Sequence, residues 1–292
     1  MAEQKIDLRK VRDFSQNIND TFVFIKQNLK PLLGSFLGIA GIFMLTCSIF
    51  NGLYQSQFGN IFKEIFANPR KQVNSFDMFG MNYFLLIIFS LVNITAMQTA
   101  VTAYMKVYSN KDELPVFDEV WAEFKKYFLP ILFYSIPLYL LIIVAMIFCL
   151  APGVYFGVVL IPFPIVIMVE DASFGEAFNR CFKLIKQNFW PSFGIYIVTY
   201  IIYSFAAGII SFAVTIISGL LAYFTTKDIS TTIGIATSTL TIFSYIFYVV
   251  FYVAVVLHYF TLVEKQDGTG IMQRIDKLGN ADSDFNTIQE QY

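Results

Sequence analysis

The sequence predicts an all-α polytopic membrane helical bundle: six transmembrane helices, with cytoplasmic amphipathic interfacial helices in three repeat units. Three observations predict it. Of 292 residues, 57% are hydrophobic and 14% charged, against about 25% charged in an average soluble chain. Asp, Glu, Lys and Arg are absent from 31–53, 81–104, 129–169, 189–226 and 233–263, stretches that supply the ~20 apolar residues a bilayer crossing requires. A helix-plus-span device also recurs along the chain, the mark of an architecture built by repetition.

Residues 1–30 form a basic, amphipathic cytoplasmic N-terminus. They lack the early apolar core of a cleavable signal peptide, so the first span, 31–53, serves as the targeting signal. The polar connection 54–80 carries Ile61, Phe62, Ile65 and Phe66 at helical spacing. Span two covers 81–104, and a polar segment with a further amphipathic helix leads to span three, 129–150. Ala151-Pro152-Gly153 is expected to turn the chain straight into span four, 153–169. Pro162 and Pro164 predict kinks there, because each removes a backbone donor. The uncharged run 190–224 is too long for one crossing at 1.5 Å per residue. It is either one tall span, about 190–218 in the membrane, or a span plus a re-entrant piece bent at Ala206-Ala207-Gly208. A polar turn at 225–232 precedes span six, 233–263, and 264–292 is a cytoplasmic C-terminal tail that begins as a short polar helix.

The stretch 173–191 holds the clearest amphipathic helix. Phe174, Ala177, Phe178, Cys181, Phe182, Ile185 and Phe189 share one face, and Glu176, Asn179, Arg180, Lys183, Lys186 and Gln187 the other. Ser173 and Glu176 read as a capping box. Trp190-Pro191 then leads into hydrocarbon, the shape of an interfacial helix feeding a span. Residues 14–31 repeat it, with 8 identities in 18 positions including the contiguous Ile-Lys-Gln-Asn of 25–28 and 185–188. A weaker copy runs from Phe117 to Pro130. Each copy has a Lys followed five residues later by a Pro: Lys26 and Pro31, Lys125 and Pro130, Lys186 and Pro191. The candidate lipid-interface residues are therefore Phe22, Lys26, Phe174, Phe178, Phe182, Lys183, Lys186 and Trp190. Pro31 and Pro191 are expected at equivalent turns of a helix–bend–span unit.

Six spans place both termini on one side. Sixteen Lys and Arg fall on that side against four on the other, which puts the termini in the cytoplasm of a bacterial inner membrane protein. The lysines then meet anionic headgroups at ~1 kcal/mol each. A net charge of −1 argues against nucleic acid as a partner, leaving membrane lipids and other membrane proteins.

No strong catalytic motif is present, and neither a cofactor nor a metal is expected. The single histidine, His258, cannot build a multi-histidine site, and Cys47, Cys149 and Cys181 lack metal-ligand spacing. Asp267-Gly268-Thr269-Gly270 has no preceding strand, so it is a weak phosphate loop. The spans offer neutral polar groups instead, with Asn93, Gln98 and Thr241 the intramembrane polar candidates. Interhelical hydrogen bonding, at ~1 kcal/mol or less per bond, is the plain role for them. Gly34-x-x-x-Gly38 and Gly153-x-x-x-Gly157 are small-residue notches suited to close helix packing.

The stretch Glu170-Asp171-x-Ser173-Phe174-Gly175-Glu176 through Pro191, followed by two tall spans, resembles a group of uncharacterised bacterial six-span membrane proteins. These look related to the membrane domain that accompanies some glycerophosphodiester phosphodiesterases. The resemblance is strongest over 168–200, and residues 259–279 also look like the tail of such proteins. It implies topology more than activity, and the phosphodiesterase catalytic domain is absent from these 292 residues. Some similar sequences carry the label beta-carotene monooxygenase. Carotenoid-cleaving dioxygenases hold iron with several histidines on a soluble propeller, which one histidine cannot reproduce.

The expected function is a non-enzymatic inner-membrane scaffold or lipid-engaging subunit of a membrane complex. The alternative is a carrier for a neutral or lipidic solute, and a membrane-embedded enzyme is a third possibility. A cavity lined by Asn93, Gln98 and Thr241 favours the carrier; a sealed apolar bundle favours the scaffold. The charge count makes a direct prediction. In a chain whose native cysteines are replaced by serine, Asn68→Cys is labelled from outside intact cells by an impermeant maleimide and Lys183→Cys is not. External labelling at 183 contradicts the six-span orientation.

Overall fold

The computed structural model describes residues 5–68, 79–111, 113–224 and 229–268. Eight helices occur among them: α1 (Phe14–Ala67), α2 (Met81–Asn110), α3 (Phe117–Phe148), α4 (Leu150–Leu160), α5 (Phe163–Glu170), α6 (Phe174–Ile185), α7 (Phe189–Phe224) and α8 (Ile229–Asp267). Six segments are long and apolar enough to cross a membrane, with α4 and α5 together making the fourth. The protein is an all-α, multi-pass membrane bundle. Spans one, two, five and six lie inside helices that run past the expected bounds, while α3 starts ahead of span three and ends at Phe148, short of the expected 150.

Polar groups bind one end of the bundle together, called here the basic end. The N-terminal segment buries Leu8 and Arg12. Arg12 pairs with Asp20 at 2.8 Å and donates to the Leu8 carbonyl at 2.9 Å. Thr261 of α8 donates to the Lys10 carbonyl, and Lys5 to the Tyr108 carbonyl. Asp13 caps α1 by accepting from the Gln16 amide at 2.7 Å. Both the N-terminal segment and the end of α8 thus sit at this end.

Several boundaries differ from expectation. The hairpin between spans three and four turns at Cys149, whose backbone is extended, and not at 151–153. Ala151-Pro152-Gly153 forms the first turn of α4, where a proline costs no hydrogen bond because the amides there have no intrahelical acceptor. The run 190–224 is one helix, α7, unbroken at 206–208. Helix α1 carries the first amphipathic copy, span one and the 61–66 segment in one piece of 54 residues, ~81 Å long at 1.5 Å per residue. Helix α8 continues through Glu264 to Asp267; the rest of the tail helix expected from 264 lies outside the described residues.

The repeat copies are not bent alike. Pro31 and Pro130 sit inside continuous helices, whereas a turn at 186–188 separates α6 from α7. Helix α6 is anchored across the bundle by Phe182, whose ring lies 6.2 Å from Tyr155 and 6.0 Å from Phe156, and the chain must turn to enter α7. Matched asparagines nevertheless do the same work. Asn28 donates to the Phe24 carbonyl at 3.0 Å and Asn188 to the Leu184 carbonyl at 3.4 Å, in each case three residues ahead of the proline.

The core is the packing of α1 against α8 and α2, with α7 along the other side of α8. Its tightest crossing lies at Gly52 of α1 and Gly234 of α8, each facing the other's backbone. A Cβ at Gly234 would lie 2.8 Å from the Gly52 carbonyl oxygen and 3.0 Å from Ser56 Cβ. Of the notches read from sequence, Gly38 meets the Phe117 ring and Gly153 meets Met146, while Gly34 and Gly157 face open space. Gly234→Leu therefore forces the crossing apart, an overpacking cost of about 1–3 kcal/mol, seen as a lower thermal midpoint in detergent. Gly34→Ala leaves the midpoint unchanged, and equal midpoints for both variants would contradict this crossing.

Candidate functional site

Span four is where the site begins. Pro162 and Pro164 have no amide hydrogen, so the carbonyls of Val158 and Leu160 lose their helical partners. The helix breaks at Ile161-Pro162, and α5 restarts with Pro162 accepting from the Ile165 and Val166 amides at 2.9 and 3.0 Å. The Ile161 carbonyl is taken up across the bundle by Gln98 of α2, whose Nε2 donates to it at 2.9 Å. Inside a membrane an unpaired carbonyl costs several kcal/mol, so a glutamine at this depth is a compensating group.

Beside this break lies a cavity of about 440 Å³. Its walls come from α2, α3, α4, α5, α7 and α8. Gln98, Ser135, Tyr139, Tyr196, Tyr200 and Tyr252 supply the polar atoms, and Gly157 opens one wall. Helix α7 packs along α8 and meets the α3–α4 hairpin mainly through α4, and the cavity is open on one side. At its rim Ile197 is 40% and Tyr200 50% exposed, and both line the cavity. Towards the basic end a run of rings leads away from the cavity wall. Phe193 stacks on Phe189 at 5.9 Å, Phe189 on Tyr155 at 5.4 Å, and Tyr155 meets Phe182 of α6.

The sequence candidates divide among separate places. Gln98 lines the cavity; Asn93 and Thr241 do not. Asn93 is fully buried beside Tyr245 without a hydrogen bond of ordinary geometry. Thr241 accepts from Asn51 of α1 at 2.6 Å and donates to the Thr237 carbonyl. Phe174, Phe178 and Phe182 are half-buried against the protein's own core, with Phe174 meeting Tyr134 and Phe163 at 5.4 and 5.5 Å. Phe22, Lys26, Lys183 and Lys186 are exposed, and Trp190 is 76% exposed. Sequence reading missed Ser135, Tyr139 and Tyr200, and it assigned Gly157 to close helix packing where the glycine lines the cavity. Ser135 and Tyr139 stand four apart around Pro137, which places both on one helical face.

The basic end carries the charge. Tyr127 donates to Asp171, receives bonds from Lys126 at 2.7 Å and Lys106 at 2.9 Å, and Lys126 pairs with Asp171 at 3.1 Å. The Tyr127 hydrogen bond, helped by Lys126, holds the Asp171 carboxyl below its ordinary value. Hydrogen bonds from Ser173 lower Glu176 likewise. Arg180 bridges Glu170 at 3.0 Å and also binds Asp267, tying α6 to α8. Burial pushes the Cys181 thiol well above its usual value, which makes it a packing group and a poor nucleophile. His258 bonds Ser192 at 2.8 Å and packs edge-on to Tyr196. Ser192 already donates to the Asn188 carbonyl at 2.7 Å, so it accepts from the imidazole and is no activated nucleophile. Among the described residues no three His, Cys, Asp or Glu side chains are grouped to hold a metal ion.

No protein-family model, no curated protein and no solved structure matches this chain.

Proposed function

We propose that this chain is a non-catalytic, lipid-engaging protein of the bacterial inner membrane, with its basic end in the cytoplasm, and that it takes a lipid chain from the bilayer into the cavity beside span four. The observation that carries the proposal is that the cavity is open where Ile197 and Tyr200 of α7 line it and stay exposed. A solute from water would have to enter past the rings of Phe193, Phe189, Tyr155 and Phe182. A chain already in the hydrocarbon meets no such barrier. At about 440 Å³ the cavity lies within the ~300–1,000 Å³ of small-molecule sites. Helix α6 then acts as the cap on this region, with the faces of Phe178 and Phe182 spent on the protein and Lys183 and Lys186 left for headgroups.

A scaffold role is favoured by one separate feature. Helix α7 runs ~54 Å by its 36 residues, beyond the ~30 Å hydrocarbon core, and Ile209, Phe212 and Leu220 stay exposed along it. Cavity occupancy separates the two roles. A Cβ at Gly157 meets nothing within 4 Å and Gly157 lines the cavity, so Gly157→Phe adds bulk to the cavity wall without a Cβ clash. Native mass spectrometry of protein extracted in mild detergent is expected to find lipid retained by the wild type and lost from Gly157→Phe. Equal retention by both contradicts the cavity proposal.

A further inference from the structure

Resting on the lipid-binding role proposed above, we infer that the cavity selects a neutral, single-chain lipid bearing a free hydroxyl, whose one proton is donated to either of two acceptors, Gln98 or Ser135. Three observations define this class: volume, charge and the sign of the unspent hydrogen-bonding groups.

An engineered apolar cavity of about 150 Å³ accommodates benzene. Scaled by volume, the 440 Å³ here holds on the order of 18 carbons, the size of one long chain or a compact isoprenoid. No Asp, Glu, Lys, Arg or His lines the cavity. A carboxylate or phosphate brought in would be an unpaired charge in a low-dielectric site.

Two lining groups have a fixed sign, whereas the phenols of Tyr139, Tyr196, Tyr200 and Tyr252 can donate or accept. Gln98 lines the cavity and spends a donor on the Ile161 carbonyl, while its Oε1 takes no hydrogen bond from the described residues. Ser135 spends its only donor on the Ile131 carbonyl at 2.8 Å, so its oxygen is left as an acceptor. Both fixed groups therefore call for a donor on the ligand. An alcohol supplies one, and its oxygen can accept in turn from the phenols of Tyr139 or Tyr200, which rotate freely. An ether or ester of the same chain offers only acceptors and leaves Gln98 Oε1 unpaired.

The test uses the full chain in detergent, titrated with oleyl alcohol, methyl oleyl ether and oleate and followed by native mass spectrometry. The alcohol is expected to bind wild type roughly five- to tenfold more tightly than the ether, the ratio set by one hydrogen bond, and more tightly than oleate. Gly157→Leu loses all three. Ser135→Ala, which removes an acceptor without touching the span-four break, narrows the ratio of alcohol to ether. If alcohol and ether bind equally and both are lost in Gly157→Leu, the cavity binds chains but the hydroxyl preference is wrong. Oleate binding most tightly overturns the inference in the same way. If Gly157→Leu changes nothing, the cavity itself is not the site, and the function proposed above fails with it.

Discussion

Two prolines take two amide donors out of span four, and much of the bundle is shaped by how that loss is met. An interior proline costs a helix about 3 kcal/mol or more, and water is not at hand inside a bilayer to repay it. Here the helix restarts at Phe163, and Gln98 reaches from α2 to the Ile161 carbonyl. The pairing fixes α2 against the break and leaves α4 and α5 as two short rods. Beside those rods lies the cavity of about 440 Å³. The same glutamine lines that cavity, so the group that compensates the break is also part of the candidate site.

Elsewhere the neutral polar residues hold helices together. Asn51 meets Thr241 at 2.6 Å, Asn82 meets Gln57 at 3.0 Å, and Cys47 meets Tyr245 at 3.2 Å, forming a seam along α1 with α2 and α8. With the Gly52–Gly234 crossing, this seam positions α8, whose Phe251 and Tyr252 form one wall of the cavity. The charged groups at the basic end do a different job. Arg180, shared between Glu170 and Asp267, locks α6 to α8 where exposed single pairs would contribute little.

Much of this was legible in the sequence because the bilayer imposes a hard rule: uncharged runs of ~20 residues cross it. The six spans, the break near Pro162 and the apolar face of 174–189 follow from that rule and from helical spacing. What was not legible depended on tertiary choice. Gly153 and Gly157 share one motif, yet Gly153 packs on Met146 and Gly157 faces open space, a difference no spacing encodes. Gln98 and Asn93 looked alike as polar residues of one span, but only the position opposite Ile161 reaches the cavity. The turn at Cys149 was hidden because Ala-Pro-Gly reads equally as a turn or as the first turn of a helix. The aromatic face of α6 gave its amphipathicity away but not its partner, which is the protein itself.

A lipid-binding role requires the cavity to be open to hydrocarbon and occupied there. The most direct measurement is a structure of the chain determined in lipid nanodiscs. It should show elongated density entering beside α7, past Ile197 and Tyr200, and ending within hydrogen-bonding distance of Gln98, with the Ile161 carbonyl still bonded to Gln98 Nε2. A continuous helix through 161–162, or a cavity closed by its own side chains with no density beside α7, would contradict it.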